Sequence, residues 1–255
     1  MRKVLLLLMV IFGVMLLVAC SNDNGQASNN TQVEVNEEEK EVEEPANIYP
    51  FTGIKTDEEV NHRMVGIMVN NHPTARPQTG LSKADIVFEI LSEGDITRLL
   101  ALYQSEEPDV VGPVRSAREY YFNLANDYGA LYIYHGAAEF IDDMIKNRGI
   151  DHLNGAIYDN DGHLFKRESC RTAPHNSYLQ FTAVDEVAES NEYDITRTYE
   201  ALPFMDEDDA VEGENIDNVE IVYSNSAYSK VMYEYDDANE VFIRYNGDEM
   251  TVELD

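Results

Sequence analysis

Leu17-Val18-Ala19-Cys20 closes an N-terminal segment that decides both where the chain works and what can hold its fold together. Arg2 and Lys3 precede an apolar run from Val4 to Leu17, broken only by Gly13, and the small Ala19 stands directly before a cysteine. That is the pattern of a secretory signal with a lipoprotein cleavage box. The run of about fourteen apolar residues is shorter than the roughly 20 needed to cross a bilayer as a helix. Residues 1–19 are therefore expected to be removed and Cys20 to become a lipidated N-terminus, whose acyl chains hold the membrane at about 0.8 kcal/mol per buried methylene. The expected location is the extracytoplasmic face of the cell membrane. With Cys20 acylated, Cys170 is the only thiol left, so no intramolecular disulfide can form. An ordinary hydrophobic core has to do the work, and the chain is long enough for one large domain or two small ones.

The formal charge of -31 is unevenly spread. Residues 21–48 hold eight acids and one base, residues 49–184 nineteen acids and twelve bases, and residues 185–255 twenty-two acids and three bases. Residues 20–48, from the lipidated cysteine through a polar, Glu-rich stretch with only scattered Val, cannot bury enough surface to offset chain entropy; they are expected to be a disordered stalk. Overall acidity with no basic patch excludes nucleic acid as a partner.

Folded sequence is expected from residue 49, as an α+β chain with a mixed α/β sheet domain over 49–204. Met64 to Val69, Ala84 to Leu91, Thr97 to Tyr103 and Leu131 to Tyr134 read as strands, the second and third joined as a hairpin by Glu93-Gly94-Asp95. Ser116 to Asn126 reads as a helix with Tyr120, Leu124 and Ala125 on one face, and Ala137 to Asn147 as a second with Phe140, Ile141, Met144 and Ile145 together, stopped by Gly149. Gly155 to Gln180 reads as a long loop, and Thr182 as the cap of a last helix, Ala183 to Ser190. After an acidic linker, 205–218, the runs Val219 to Tyr223, Lys230 to Tyr235, Glu240 to Tyr245 and Met250 to Leu254 form a smaller β-rich domain, 219–255. So few apolar strands are marginal alone; they lean on the first domain or belong to a domain that is incomplete here.

Chemistry-bearing residues gather in the loops of the nearly balanced central block. Asn70-Asn71-His72 follows the first strand and Arg76 the turn after it; Gly112-Pro113-Val114-Arg115-Ser116-Ala117-Arg118 leads into a helix; Arg167, Arg171, His175 and Asn176 lie in the long loop. A helix start already favours anions through its free N–H groups and dipole. Arg115 and Arg118, expected in that first turn, would add to the attraction, and the fork of a guanidinium suits carboxylate or phosphate. Each arginine alone is better explained by pairing with a neighbouring acid, such as Glu119, or by packing along its stem; it is the set that points to an anion-binding cleft. His135, at a strand end, is a core histidine or a general base. Cys170 with His175 would make a thiol nucleophile and base, but thiolate formation needs an environment that sequence does not display. No histidine spacing suits a metal, and Asp159-Asn160-Asp161-Gly162 starts like a calcium loop yet places Cys170 where a bidentate acid belongs. No metal or cofactor is expected.

In these loops the sequence resembles the YerB-like lipoproteins of Gram-positive bacteria, a family whose biochemical role is unassigned. The resemblance rests on Val69-Asn70-Asn71-His72, Arg76-Pro77-Gln78-Thr79-Gly80-Leu81, Ala84-Asp85-Ile86-Val87-Phe88-Glu89, Gly112 to Arg118, Leu164-Phe165-Lys166-Arg167 and Ala173-Pro174-His175-Asn176, in that order. It implies a second, β-rich domain continuing past residue 255, and no reaction. The expected function is a membrane-anchored protein binding an anionic cell-envelope ligand through Asn70, His72, Arg76, Arg115, Arg118, Arg167, Arg171, His175 and Asn176. The alternatives are an envelope hydrolase or transferase with His135 or His175 as base, and an interaction module docking an unidentified protein through its acidic β part.

Overall fold

The structure, a computed structural model, describes residues 45–205 and 212–254. The expected signal peptide, Cys20, the stalk up to residue 44 and residues 206–211 of the expected linker lie outside the described residues. The elements in chain order are β1 (Asn47–Ile48), β2 (Lys55–Thr56), β3 (Val65–Asn70), β4 (Ile86–Leu91), β5 (Thr97–Tyr103), β6 (Val110–Val111), α1 (Glu119–Asp127), β7 (Leu131–Tyr134), α2 (Glu139–Asn147) and β8 (His152–Asn154). Then come β9 (Phe165–Arg167), β10 (Ser177–Gln180), α3 (Val184–Ser190), β11 (Asn218–Val222), β12 (Lys230–Asp236), β13 (Val241–Asn246) and β14 (Glu249–Met250).

A five-stranded sheet in the order β4-β5-β3-β7-β8 forms the centre. β5 is antiparallel to both of its neighbours, and β3, β7 and β8 run parallel. Both faces of this sheet are buried, which is why its central strands read as near-continuous apolar runs. Val65, Ile67, Val69, Leu99, Ala101, Leu131 and Ile133 point to one core, against Val111, Phe165, Leu179 and the α3 residues Val184 and Val187. The alternate residues Met68, Leu100, Leu102, Tyr132 and Tyr134 point to the other, under Tyr121, Phe122 and Ala125 of α1 and Ile141 and Ile145 of α2. The period of two along each strand thus sorts the chain into two cores.

Several local readings change. The first helix starts at Glu119, not Ser116, because the residues before it are drawn into sheet-like pairing; its buried face is Tyr121, Phe122 and Ala125, while Tyr120 is exposed. Ile141 and Ile145 anchor α2 as expected, but Phe140 is 65% exposed. Gly149, at φ +65°, ends that helix. The stretch expected as a long loop contains β9 and β10, which pair antiparallel and join β6 in a small sheet that covers the central one. Its short, polar strands have no periodicity to read. Thr182 lies inside a single 3-10 turn, Phe181–Ala183, and makes no cap.

The four C-terminal strands form an antiparallel sheet, β11-β12-β13-β14. It leans on the first sheet through a buried ion pair, Arg244 Nη2 to Glu89 Oε2 at 2.7 Å. Tyr223 adds a bond to the Glu89 carbonyl, and Leu254 N–H donates to Gln78 O. The chain is an α+β protein with a separate β-rich C-terminal part.

Candidate functional site

The carboxyl ends of parallel strands leave an open edge where ligand-bearing side chains collect in α/β sheets. Here Asn70 ends β3 and His135 follows β7. Between them runs the segment Gly112–Ala117, in extended conformation. Asn70 N–H donates to Pro113 O, Arg115 N–H to Met68 O, His135 N–H to Arg115 O and Ala117 N–H to Gly136 O. On its other side Val114 N–H donates to Ser177 O at the start of β10. Gly112 permits this close approach, since a Cβ there would stand 2.7 Å from the Tyr178 ring and 3.1 Å from the Ser177 carbonyl oxygen. Arg118 is the last extended residue, with ψ 152°, and its carbonyl receives the first helical N–H groups. Arg115 is therefore held by a strand-like strap and not, as expected, by a helix turn.

Asn70, His72, Arg115 and His175 meet around one pocket of ≈ 100 Å³, completed by Glu93, Ile96, Thr97 and Arg98. Arg115 is half-buried, and its guanidinium makes no hydrogen bond or ion pair among the described residues. Burial, then the neighbouring Arg118 cation, lower its pKa, and Glu93 acts in the opposite sense. Burial and Arg118 also lower Arg98. Glu93 is the counter-charge: it accepts from Arg118 Nε at 2.5 Å and from Arg98 Nη2 at 3.3 Å. The Arg118 bond comes first among the causes that bring its carboxyl down to about 2.

The two histidines are oriented by donors. Asn70 Oδ1 accepts from His72 N–H, which turns Asn70 Nδ2 toward His175 Nδ1 at 3.0 Å. His175 Nδ1 is therefore an acceptor, and the proton sits on Nε2. His72 Nδ1 accepts from Thr74 N–H at 3.2 Å, which fixes the same tautomer there. The rings lie 4.6 Å apart. Burial, then His72, Arg115 and Arg171, lower the His175 pKa, so this ring is neutral at pH 7. Both rings have an Nε2–H to offer a ligand, beside an unpaired guanidinium.

The other expected site residues lie outside the lining of this pocket, and Arg76 Nη2 is buried without a partner among the described residues. Arg167 grips Asp159 with two bonds, Nε to Oδ1 at 2.7 Å and Nη2 to Oδ2 at 2.9 Å, and holds Asn176 Oδ1 through Nη1. Arg171 bonds Tyr178 OH and, at 2.7 Å, Pro77 O. Arg76 lies against β13 and β14, with Nε on Asn71 Oδ1. Arg118 stands beside the pocket on Glu93 and Ala117 O. His135 donates through Nδ1 to Ser177 Oγ at 2.7 Å, because Arg167 Nη2, which has only protons to give, faces its Nε2. With that polarity His135 cannot take a proton from Ser177, and the pair ties β7 to β10. Cys170 is exposed, and His175 Nδ1 is taken by Asn70. No group of three or more metal-ligating side chains occurs among the described residues. Arg98 and Glu93 were not singled out from sequence; an arginine inside the otherwise apolar run Thr97 to Tyr103 was the available signal.

The family model described as "Protein of unknown function (DUF3048) N-terminal domain" matches residues 51–194, which contain every residue of this pocket. The chain belongs to this YerB-like family. A Bacillus subtilis (strain 168) protein named "Putative lipoprotein YerB" is 41% identical over 197 residues, a stretch that is 76% of this chain and 59% of that protein. The chain thus spans less than two thirds of that relative's length. The crystal structure of YerB protein from Bacillus subtilis is similar with a TM-score of 0.73 at 38% identity, covering 81% of this chain and 69% of that one.

Glu93 gives the site a pH signature. Its carboxyl is depressed in the fold from an ordinary 4.5 to about 2, so its stabilising contribution is present above about pH 4.5 and is lost as pH falls toward 2. Acid unfolding of Glu93→Gln, followed by circular dichroism, should lack that component. An unchanged acid limb would mean that the Glu93–Arg118 pair does not hold in solution.

Proposed function

We propose that this protein is a lipid-anchored extracytoplasmic protein that binds an anionic ligand, a component of the cell envelope, in the pocket of Asn70, His72, Arg115 and His175. The observation that carries the binding half is Arg115: a half-buried guanidinium with no partner among the described residues, lining a pocket beside two imidazole donors. Leaving a partly desolvated cation unpaired costs free energy, which a bound anion recovers. The anchoring half is supported by Leu17-Val18-Ala19-Cys20 and by the printed name of the Bacillus subtilis relative.

Charge-assisted hydrogen bonds contribute about 1.5 to 3 kcal/mol, so Arg115→Gln should weaken binding of a soluble muropeptide or of inorganic phosphate by about ten- to a hundredfold. Because no side-chain partner of Arg115 among the described residues is lost, the variant should melt at or above the wild-type temperature in ligand-free buffer. A clear drop in the ligand-free melt, with anion affinity unchanged, would make Arg115 a structural residue and sink the binding reading.

Cys20→Ala should abolish lipid labelling and leave the signal peptide uncleaved, read by metabolic labelling with a fatty-acid analogue and by intact mass. Normal labelling of the variant would refute the anchor.

A further inference from the structure

His72, Arg115 and His175 bring donors to the pocket from three separate backbone segments, the end of β3, the strap before α1 and the residues leading into β10, and Arg98 lies in the same lining. Among the described residues Arg98, Arg115 and Arg118 stand around it against a single acid, Glu93, which leaves two positive charges. Water occupies about 30 Å³ per molecule in the liquid, so a pocket of ≈ 100 Å³ holds one small oxyanion and leaves the rest of a ligand outside.

A carboxylate is planar and carries one charge, so it would leave the second positive charge without a match. A phosphomonoester has three terminal oxygens directed out of any one plane and carries about -1.5 to -2 at neutral pH. The bidentate fork of Arg115 can take two of those oxygens, and the two Nε2–H groups the remaining acceptor sites.

We infer that the group this pocket takes is a dianionic phosphate, a phosphomonoester or free phosphate, and not a carboxylate; the inference rests on the anion-binding reading of the same pocket. Asn70 is a positioning residue for it, since its amide fixes His175 as a donor.

The test is calorimetric titration of the full chain at pH 7.5 with glycerol 3-phosphate, inorganic phosphate, diethyl phosphate and acetate. Glycerol 3-phosphate, inorganic phosphate or both should bind at least tenfold more tightly than acetate and diethyl phosphate, and their ratio tells an esterified source from a free one. The preference should vanish in Arg115→Gln, with Arg115→Lys as a charge-preserving control and thermal melts confirming that both fold. Asn70→Asp, which keeps the bond to His72 N–H but reverses the one to His175, should lose the preference and move the His175 proton to Nδ1, read from its imidazole ¹⁵N shifts. Acetate binding as tightly as the phosphates, still dependent on Arg115, would overturn the phosphate inference and leave the anion pocket standing. No Arg115-dependent binding of any of the four anions would overturn both.

Discussion

The backbone of residues 112–117 is pinned at once to β3, to the end of β7 and to the start of β10. Five N–H groups, from Asn70, Val114, Arg115, Ala117 and His135, close these contacts. Buried backbone groups must find partners, and this strap uses carbonyls at the carboxyl ends of the parallel strands that would otherwise face the opening between them. The result is a wedge that carries Arg115 into the sheet's open edge on a rigid support.

The surrounding charges follow from that placement. Glu93, on the turn between β4 and β5, reaches both Arg98 and Arg118 and offsets one of the three positive charges. Arg115 keeps its charge unpaired among the described residues. Behind the pocket, Asn71 bonds Glu89 and Thr97, and Glu89 is the acid that Arg244 of β13 reaches from the C-terminal sheet. The Glu89 side chain is only 8% exposed, so removing one partner would strand a buried charge. The C-terminal sheet is thereby tied to the residue next to Asn70.

Much of the fold was legible because the central strands are buried on both faces, and such runs as Thr97 to Tyr103 and Leu131 to Tyr134 match their strands end to end. What was not legible depended on partners distant in sequence. Gly112 to Arg118 looks like the approach to a helix, and its pairing with Thr79, Met68, Asn70, His135, Gly136 and Ser177, distant in sequence, makes it strand-like. β9 and β10 are three- and four-residue strands that mean nothing without each other and β6. The grouping of Asn70, His72, Arg115 and His175 was named from residue type and loop position, yet the same reasoning drew in Arg167 and Arg171, whose partners Asp159 and Pro77 become neighbours only in the fold. Arg98 was passed over because a strand position hides its polar end, which emerges at the pocket.

Anion binding beside Arg115 requires that both imidazoles be fixed as hydrogen-bond donors. Imidazole ¹⁵N chemical shifts of the wild-type chain at pH 7.5, assigned to His72 and His175, read this directly. From the bonds at the two Nδ1 atoms, Nε2 of each ring should fall in the protonated, pyrrole-like range and Nδ1 in the unprotonated one. An Nδ1–H tautomer with unprotonated Nε2, on either ring of the ligand-free protein, would place an acceptor where the anion's oxygen has to lie and would contradict this reading.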